Sequence, residues 1–234
     1  MEIDNTVRLP GDCQRIAVVG RTGSGKTQAA LWHLSNASID TKPWVAINHK
    51  FDEHIDAIAR AVDINFSTLP SVPGIYRLHP LPSESEELDE FLWKVWAAGN
   101  IGIYIDEGYM VRKTDAFNAC LTQGRSKHIP MIVLTQRPVR VSPFVFSECD
   151  FLQVFQLNKK RDKQTIEENS RIDMENELPQ YHSYYFDVAQ NKVAHFGPVP
   201  EIQYILNRID KKLPLPENMQ EKIAETSRRK INKI

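Results

Sequence analysis

At 234 residues, with 41% hydrophobic and 25% charged side chains, the chain has the composition of one large globular domain with at most small appendages. A formal net charge of -1 excludes a broadly basic nucleic-acid coat, so any phosphate contact has to come from local clusters of Lys and Arg. Three scattered cysteines (Cys13, Cys120, Cys149), an acidic start and no apolar run near the ~20 residues that span a bilayer lead us to expect a soluble, cytoplasmic protein without stable membrane insertion.

Arg15 to Gly20 is an apolar run that stops at glycine, the pattern of a buried parallel strand, and Thr27 to Leu34 reads as a helix. Trp44 to Asn48 predicts a second strand, His54 to Val62 a helix, and Ile75 to Leu78 a third strand after the turn at Pro70, Pro73 and Gly74. Ser83 or Ser85 can cap a helix with Leu88, Phe91, Leu92, Val95 and Trp96 on its apolar face, ended by Gly99-Asn100. Ile101 to Ile105 is a strand running into Asp106-Glu107. A helix over Phe117 to His128 follows, then the strand Met131 to Thr135. Phe151 to Leu157 predicts a strand and Asp162 to Asn169 a helix, and Ser183 to Val188 with Lys192 to Phe196 a hairpin. The fold class expected is α/β: a mostly parallel sheet flanked by helices, with antiparallel strands at its C-terminal edge. The domain is placed at 1–210, followed over 211–234 by a Pro-containing tail with the basic stretch Arg228 to Lys233.

Gly20, Arg21, Thr22, Gly23, Ser24, Gly25, Lys26 and Thr27 make a complete phosphate-binding loop between a strand and a helix. The glycines let backbone N–H groups converge on a β-phosphate. Lys26 reaches the β/γ oxygens, and the Thr27 hydroxyl is placed for Mg²⁺, so ATP and Mg²⁺ are the expected cofactors. Asp106, at a strand's carboxyl end, would hold the metal through water, and Glu107 would orient and deprotonate the attacking water, although such a pair can also cap the next helix. Gln136, at the end of another strand, can place an amide beside a γ-phosphate.

The stretch from Gly124 to Pro138, ending Thr135-Gln136-Arg137-Pro138, resembles the matching part of the FtsK/HerA superfamily of DNA-pumping ATPases, with His128-Ile129-Pro130 where those proteins have a Gly-Ile-His-like turn. Cys149 to Gln156 with Asp162 to Glu167 resembles their next strand and helix, and Lys50 matches the lysine of an Asp-Pro-Lys at their second strand. Within the superfamily the compact chain looks most like genome-packaging ATPases of tailless, membrane-containing double-stranded DNA viruses. The resemblance implies a RecA-like P-loop domain in a homo-oligomeric ring, hexameric or pentameric. Its partners would be double-stranded DNA and capsid or portal-vertex proteins, in the host cytoplasm or on the virion at the packaging vertex. It also implies a trans-acting arginine, for which Arg125 is the first choice and Arg137 and Arg161 follow.

Other features read two ways. Trp93 and Trp96 suit a core better than a stacking platform, Val139 to Phe146 suits a docked connector or a pore loop, and Lys159-Lys160-Arg161 suits phosphate contact or plain solvent exposure. His49 and His54 around Asp52-Glu53 lack the ligands for a metal site. Alternatives to a translocase are an ATP-dependent phage assembly or extrusion protein, a nucleotide-gated DNA-binding switch, and a small-molecule kinase, which Glu107 beside Asp106 disfavours.

Overall fold

Alternation decides the architecture. In strand β1 (Arg15–Val19), Ile16 and Val18 join the core on one side of the sheet while Ala17 and Val19 join the core on the other. A strand apolar on both faces needs helices on both. The computed structural model, which describes residues 7–111 and 114–214, meets that need. After β1 come α1 (Lys26–Asn36), β2 (Pro43–Asn48), α2 (Glu53–Asp56), β3 (Val62–Asp63), β4 (Gly74–Leu78), α3 (Ser85–Ala98), β5 (Gly102–Asp106) and α4 (Asp115–Gln123). The chain continues through β6 (Met131–Thr135), a 3-10 turn (Pro138–Arg140), α5 (Phe144–Ser147), β7 (Phe151–Phe155), α6 (Lys160–Asn169), β8 (Ser183–Asp187), β9 (Lys192–Phe196) and α7 (Ile202–Lys212).

Among the described residues the strands form one sheet of nine in the order β3-β4-β2-β5-β6-β1-β7-β8-β9, parallel from β3 to β7 and antiparallel at β8 and β9. Helices α1, α2 and α7 bury Leu31, Leu34, Ile55, Ile205 and Ile209 on one face, and α3, α4, α5 and α6 bury Phe91, Val95, Phe117, Phe146 and Ile166 on the other. The expected fold class is borne out.

Several element bounds differ from expectation for local reasons. The helix expected over His54 to Val62 stops after one turn. Beyond Ala57, Arg60 N–H goes to Asp210 Oδ1 at 3.0 Å and Ile64 N–H to the Arg77 carbonyl at 2.9 Å, drawing Val62-Asp63 alongside β4. Helix α4 ends at Gln123, and Gly124 packs so closely on the Cys120 carbonyl that no side chain fits there. Neither Ser83 nor Ser85 caps α3. Glu84 occupies the cap position, and its carboxylate accepts from Leu81 N–H at 2.8 Å. Trp93 is exposed rather than core, set edge-on against Trp96, over whose ring Lys127 Nζ lies at 4.1 Å. Helix α7 is an unexpected element, although Ile202, Ile205, Leu206 and Ile209 carry helical spacing. The basic stretch Arg228 to Lys233 lies outside the described residues.

One buried polar chain crosses the core. His33 Nε2 on α1 is 2.7 Å from Gln153 Oε1 on β7, and Gln153 donates to Ser183 Oγ on β8 at 2.9 Å. Burial pushes the His33 imidazole down to about 4, against the pull of the Gln153 hydrogen bond. The unfolded chain therefore binds this proton first. Its contribution is whole above the unfolded value near pH 6.5 and is lost as pH falls toward 4, at a slope approaching ~1.4 kcal/mol per pH unit. Urea unfolding between pH 7 and 4.5 should show that loss, and His33→Gln should flatten the slope by close to one proton. An unchanged slope in the variant would assign the pH dependence elsewhere.

Candidate nucleotide-hydrolysing site

A parallel sheet sends the carboxyl ends of β1, β2, β5 and β6 to one edge, and the residues just after them build the site. After β1 the loop of Gly20, Arg21, Thr22, Gly23, Ser24 and Gly25 turns back into α1, which opens with Lys26 and Thr27. Gly23 and Gly25 have φ of +76° and +92°, a region in which a side chain would be strained. Gly20 is needed for contact instead, because a Cβ there would lie 2.8 Å from Phe155 Cβ. With Gly25 at its cap position and no capping side chain, α1 leaves its first N–H groups free toward the hollow of the loop.

Strand β5 brings Asp106 and Glu107 to the same place, both nearly inaccessible. Glu107 turns out of the strand with φ +61°. Its Oε1 lies 2.6 Å from Lys50 Nζ and 3.6 Å from Lys26 Nζ, and its Oε2 accepts from Gln136 N–H at 3.4 Å. Strand β6 lies between β1 and β5, so Gln136 stands between the loop and Glu107. Its side-chain oxygen accepts from Thr22 Oγ1 at 2.8 Å, and its Nε2 donates to the Tyr109 hydroxyl at 3.4 Å. The loop, Lys50, Asp106 and Glu107 line a cleft of about 300 Å³.

The electrostatics follow from this crowding. Burial pushes the Asp106 carboxyl up to about 6, with Lys26 acting against it and Glu107 with it. Burial alone would lower the Lys50 ammonium, but the hydrogen bond and charge of Glu107 outweigh it and hold the group above its ordinary value. Within the site, among the described residues, two buried oxygens have no protein partner, Asp106 Oδ2 and Ser24 Oγ. With Thr27 on the same cleft wall, this donor set fits a magnesium–triphosphate group, since Mg²⁺ takes few protein oxygens and relies on phosphate and water for the rest. Among the described residues no group of three or more His, Cys, Asp or Glu is placed to hold a metal by itself.

The arginines lie elsewhere. Arg125 is largely exposed and paired with Asp150, which precedes β7 and also takes Arg15 N–H at 2.9 Å, at the sheet edge opposite the phosphate loop. Arg137 Nε donates to Asp162 Oδ2 at 3.1 Å, and Arg161 sits in the exposed first turn of α6. What the residue pattern did not reveal is the part Lys50 plays. Its match to a family motif was the available signal, but nothing in the sequence put its ammonium on Glu107.

A phosphate loop, a strand-end Asp-Glu pair and a polar strand end interposed between them define a P-loop ATPase. No protein-family model matches the chain. It is 47% identical over 219 residues to the DNA packaging ATPase P9 of Enterobacteria phage PRD1, over 88% of this chain and 96% of the relative. The chain belongs to that family of DNA packaging ATPases. Among solved structures, the genome packaging NTPase B204 from Sulfolobus turreted icosahedral virus 2, in complex with AMPPCP, is similar with a TM-score of 0.63 at 19% identity, over 81% of this chain and 99% of that one. The pCW3 conjugation coupling protein TcpA is similar with a TM-score of 0.57 at 14% identity, over 90% of this chain and 65% of that one. At such identities the two structures show a common fold.

Lys50 supplies a test of the cleft's charge. If its ammonium faces the phosphates as well as Glu107, Lys50→Met should weaken ATP binding by about tenfold, the size of one hydrogen bond to a charged group. Thermal stability should fall as well, since the buried Glu107 loses its nearest cation, so the titration is made at a temperature where the variant is folded. Calorimetric titration with ATP checks this, and parental affinity in the variant would confine Lys50 to holding Glu107.

Proposed function

We propose that this chain is the ATP-driven motor that moves double-stranded DNA into a viral capsid, working as a homo-oligomeric ring, pentameric or hexameric, at the packaging vertex in the infected host cell. The observation that carries the reading is the Glu107 carboxylate held between Lys26 and the Gln136 backbone beside a complete phosphate loop, in a chain of the packaging-ATPase family.

In this reading the N–H groups of Gly23, Gly25 and Lys26 cradle the β-phosphate and Lys26 neutralises the β/γ oxygens. Thr27 and Asp106 would hold magnesium, which supplies positive charge where the leaving oxygens gain negative charge. Glu107 orients a water for in-line attack and takes its proton, and Gln136 reports whether the γ-phosphate is present. Among the described residues no helix is long and apolar enough to cross a membrane, and capsid or portal-vertex proteins are the partners proposed for docking. With a net charge of -1 a single subunit has little to offer DNA. Arg140 and Lys159 to Arg161, repeated around a ring, would make a basic channel that reads the backbone rather than the bases.

The choice of trans-acting arginine rests on what each would leave behind. Withdrawing Arg137 strips the deeply buried Asp162 of its guanidinium, and breaking a buried pair costs about 3–5 kcal/mol. Withdrawing Arg125 leaves Asp150 still held by Arg15 N–H at 2.9 Å and Arg15 Nε at 3.5 Å. Arg125 is the arginine that can be given to a neighbour.

Two experiments test the function. Phosphate release should rise when long duplex DNA is added, and Lys26→Ala should abolish it. Glu107→Gln should keep ATP bound while slowing turnover ~10²–10⁴-fold, as loss of a general base does. Parental turnover in Glu107→Gln would remove the base assignment, and a rate indifferent to DNA would remove the motor. Separately, Arg125→Ala should bind ATP normally with a lowered kcat. Mixing it with Lys26→Ala subunits should restore part of the activity, since some interfaces then pair an intact loop with an intact arginine. No rescue in stable mixed rings would release Arg125 from the role.

A further inference from the structure

Beyond the phosphates, the first turn of α1 carries a second set of contacts that hydrolysis does not use. Gly25 and Gln28 are three apart and share a face of that turn. Against Gly25 lies the Tyr181 ring, so close that a Cβ on Gly25 would sit 3.2 Å from Tyr181 Cδ1. Gln28 Nε2 donates to the Pro200 carbonyl at 2.7 Å, binding a second loop to the same turn. Tyr181 departs from expectation twice over. It is 48% exposed although most of the chain's aromatic rings are buried or half-buried, and its φ is +64°, which a bulky side chain rarely adopts. Strain of this kind persists only where the surroundings enforce it. Here they do. Leu178 N–H is held by Gln156 Oε1 at 2.9 Å, His182 N–H by the Pro179 carbonyl at 3.1 Å, and the His182 ring stacks on His195 with centroids 5.0 Å apart. Gln156 also accepts Arg21 N–H at 3.3 Å through its carbonyl, so the Tyr181 turn and the phosphate loop hang on one residue.

The direction of the bound nucleotide follows from the site already described. Its γ end must face Glu107 and Gln136, and its β-phosphate lies in the loop. The α-phosphate then falls at Thr27 and Gln28, and the nucleoside leaves the loop on the side away from Glu107. We propose that Tyr181 is the platform on which the purine base of the nucleoside triphosphate stacks, with the Gln28–Pro200 link bordering that subsite. An aromatic ring held at a fixed height above the first helical turn offers a π-face to any purine and little hydrogen-bond discrimination. The subsite therefore takes ATP and GTP alike and prefers both to a bare triphosphate.

The inference rests on the nucleotide-site reading above, and the test separates the two. Calorimetric affinities of the full chain for ATP, GTP and inorganic tripolyphosphate are compared with those of Tyr181→Ala and Tyr181→Trp. Stacking of one base on an aromatic side chain corresponds to a loss of ~5–150-fold on truncation. Tyr181→Ala should show a loss of that order for ATP and GTP with tripolyphosphate unchanged, and Tyr181→Trp should restore both nucleotides. Parental ATP affinity in Tyr181→Ala, or an equal loss for tripolyphosphate, overturns the platform while leaving the phosphate site standing. A parent chain that binds none of the three overturns both.

Discussion

The placement of one buried carboxylate governs this structure. Glu107 is almost wholly inaccessible, and burying an ionised group costs several kcal/mol unless partners surround it. The partners come from three separate elements: Lys26 at the start of α1, Lys50 after β2 and the Gln136 backbone after β6. No local stretch of chain could supply them. They meet because β6 is inserted between β1 and β5 and β2 lies on the other flank of β5, all running the same way. The backbone is bent to suit, with φ of +61° at Glu107 and +53° at Phe51 immediately after Lys50. Strain of about 1–3 kcal/mol per such residue is tolerable where packing and ion pairing over-determine the conformation.

The same logic explains which parts of the fold were legible in the residues. Central parallel strands are buried on both faces, so Ile16 to Val19, Val45 to Ile47 and Ile103 to Ile105 stand out as apolar runs that stop at Gly20, Asn48 and Asp106. The phosphate loop was legible because its glycines answer to geometry rather than to neighbours. What stayed hidden depends on distant partners. β3 is two residues long and exists because Arg77 pairs with Asp63 at 2.8 Å and Ile64 N–H reaches the Arg77 carbonyl. The helix expected after His54 lost to those pairings, since propensity yields to tertiary hydrogen bonds. Lys50 and Tyr181 touch the site only once the sheet is assembled, and no spacing along the chain encodes either contact. Trp93 misled because a tryptophan beside Leu92 reads as core, whereas it lies across the helix from the buried stripe.

The far side of β1 matters as much as the catalytic side. β7 is the last parallel strand, and its end supports the phosphate loop from below: Phe155 fills the space under Gly20, and the Gln156 carbonyl takes Arg21 N–H. β8 reverses direction at that point. α6 separates β8 from β7 along the chain, β8 returns antiparallel to β7, and the short turn from β8 to β9 completes a hairpin that closes this edge of the sheet. Arg8 anchors the hairpin by donating to both carboxylate oxygens of Asp187, at 3.0 and 2.8 Å. That bond outweighs the effect of burial and holds the Asp187 carboxyl below its ordinary value. The loop that must accept a triphosphate is thus braced from the β7 side by Phe155 and Gln156 before any ligand arrives, which lowers the ordering cost of binding.

Preorganisation on one side leaves the other side as the place where motion can begin. Gln136 touches Thr22 and Glu107, the two groups nearest the γ end of the cleft, and the residue after it, Arg137, is fastened to Asp162. Asp162 in turn accepts Val139 N–H at 3.3 Å, so one carboxylate ties the strand end, the 3-10 turn and α6 together. The turn carries exposed Val139 and Arg140, and the short helix after it exposes Phe144 while burying Val145 and Phe146. If Gln136 senses the γ-phosphate as proposed, its shift would either break the Asp162 pair or carry the turn with it. Breaking a buried pair is the costlier course, so on that proposal the displacement would pass to Val139 and Arg140. The connection runs through the backbone from Gln136 to Val139 and the Arg137–Asp162 pair beside it, and tightly packed interiors of this kind transmit small shifts rather than absorb them.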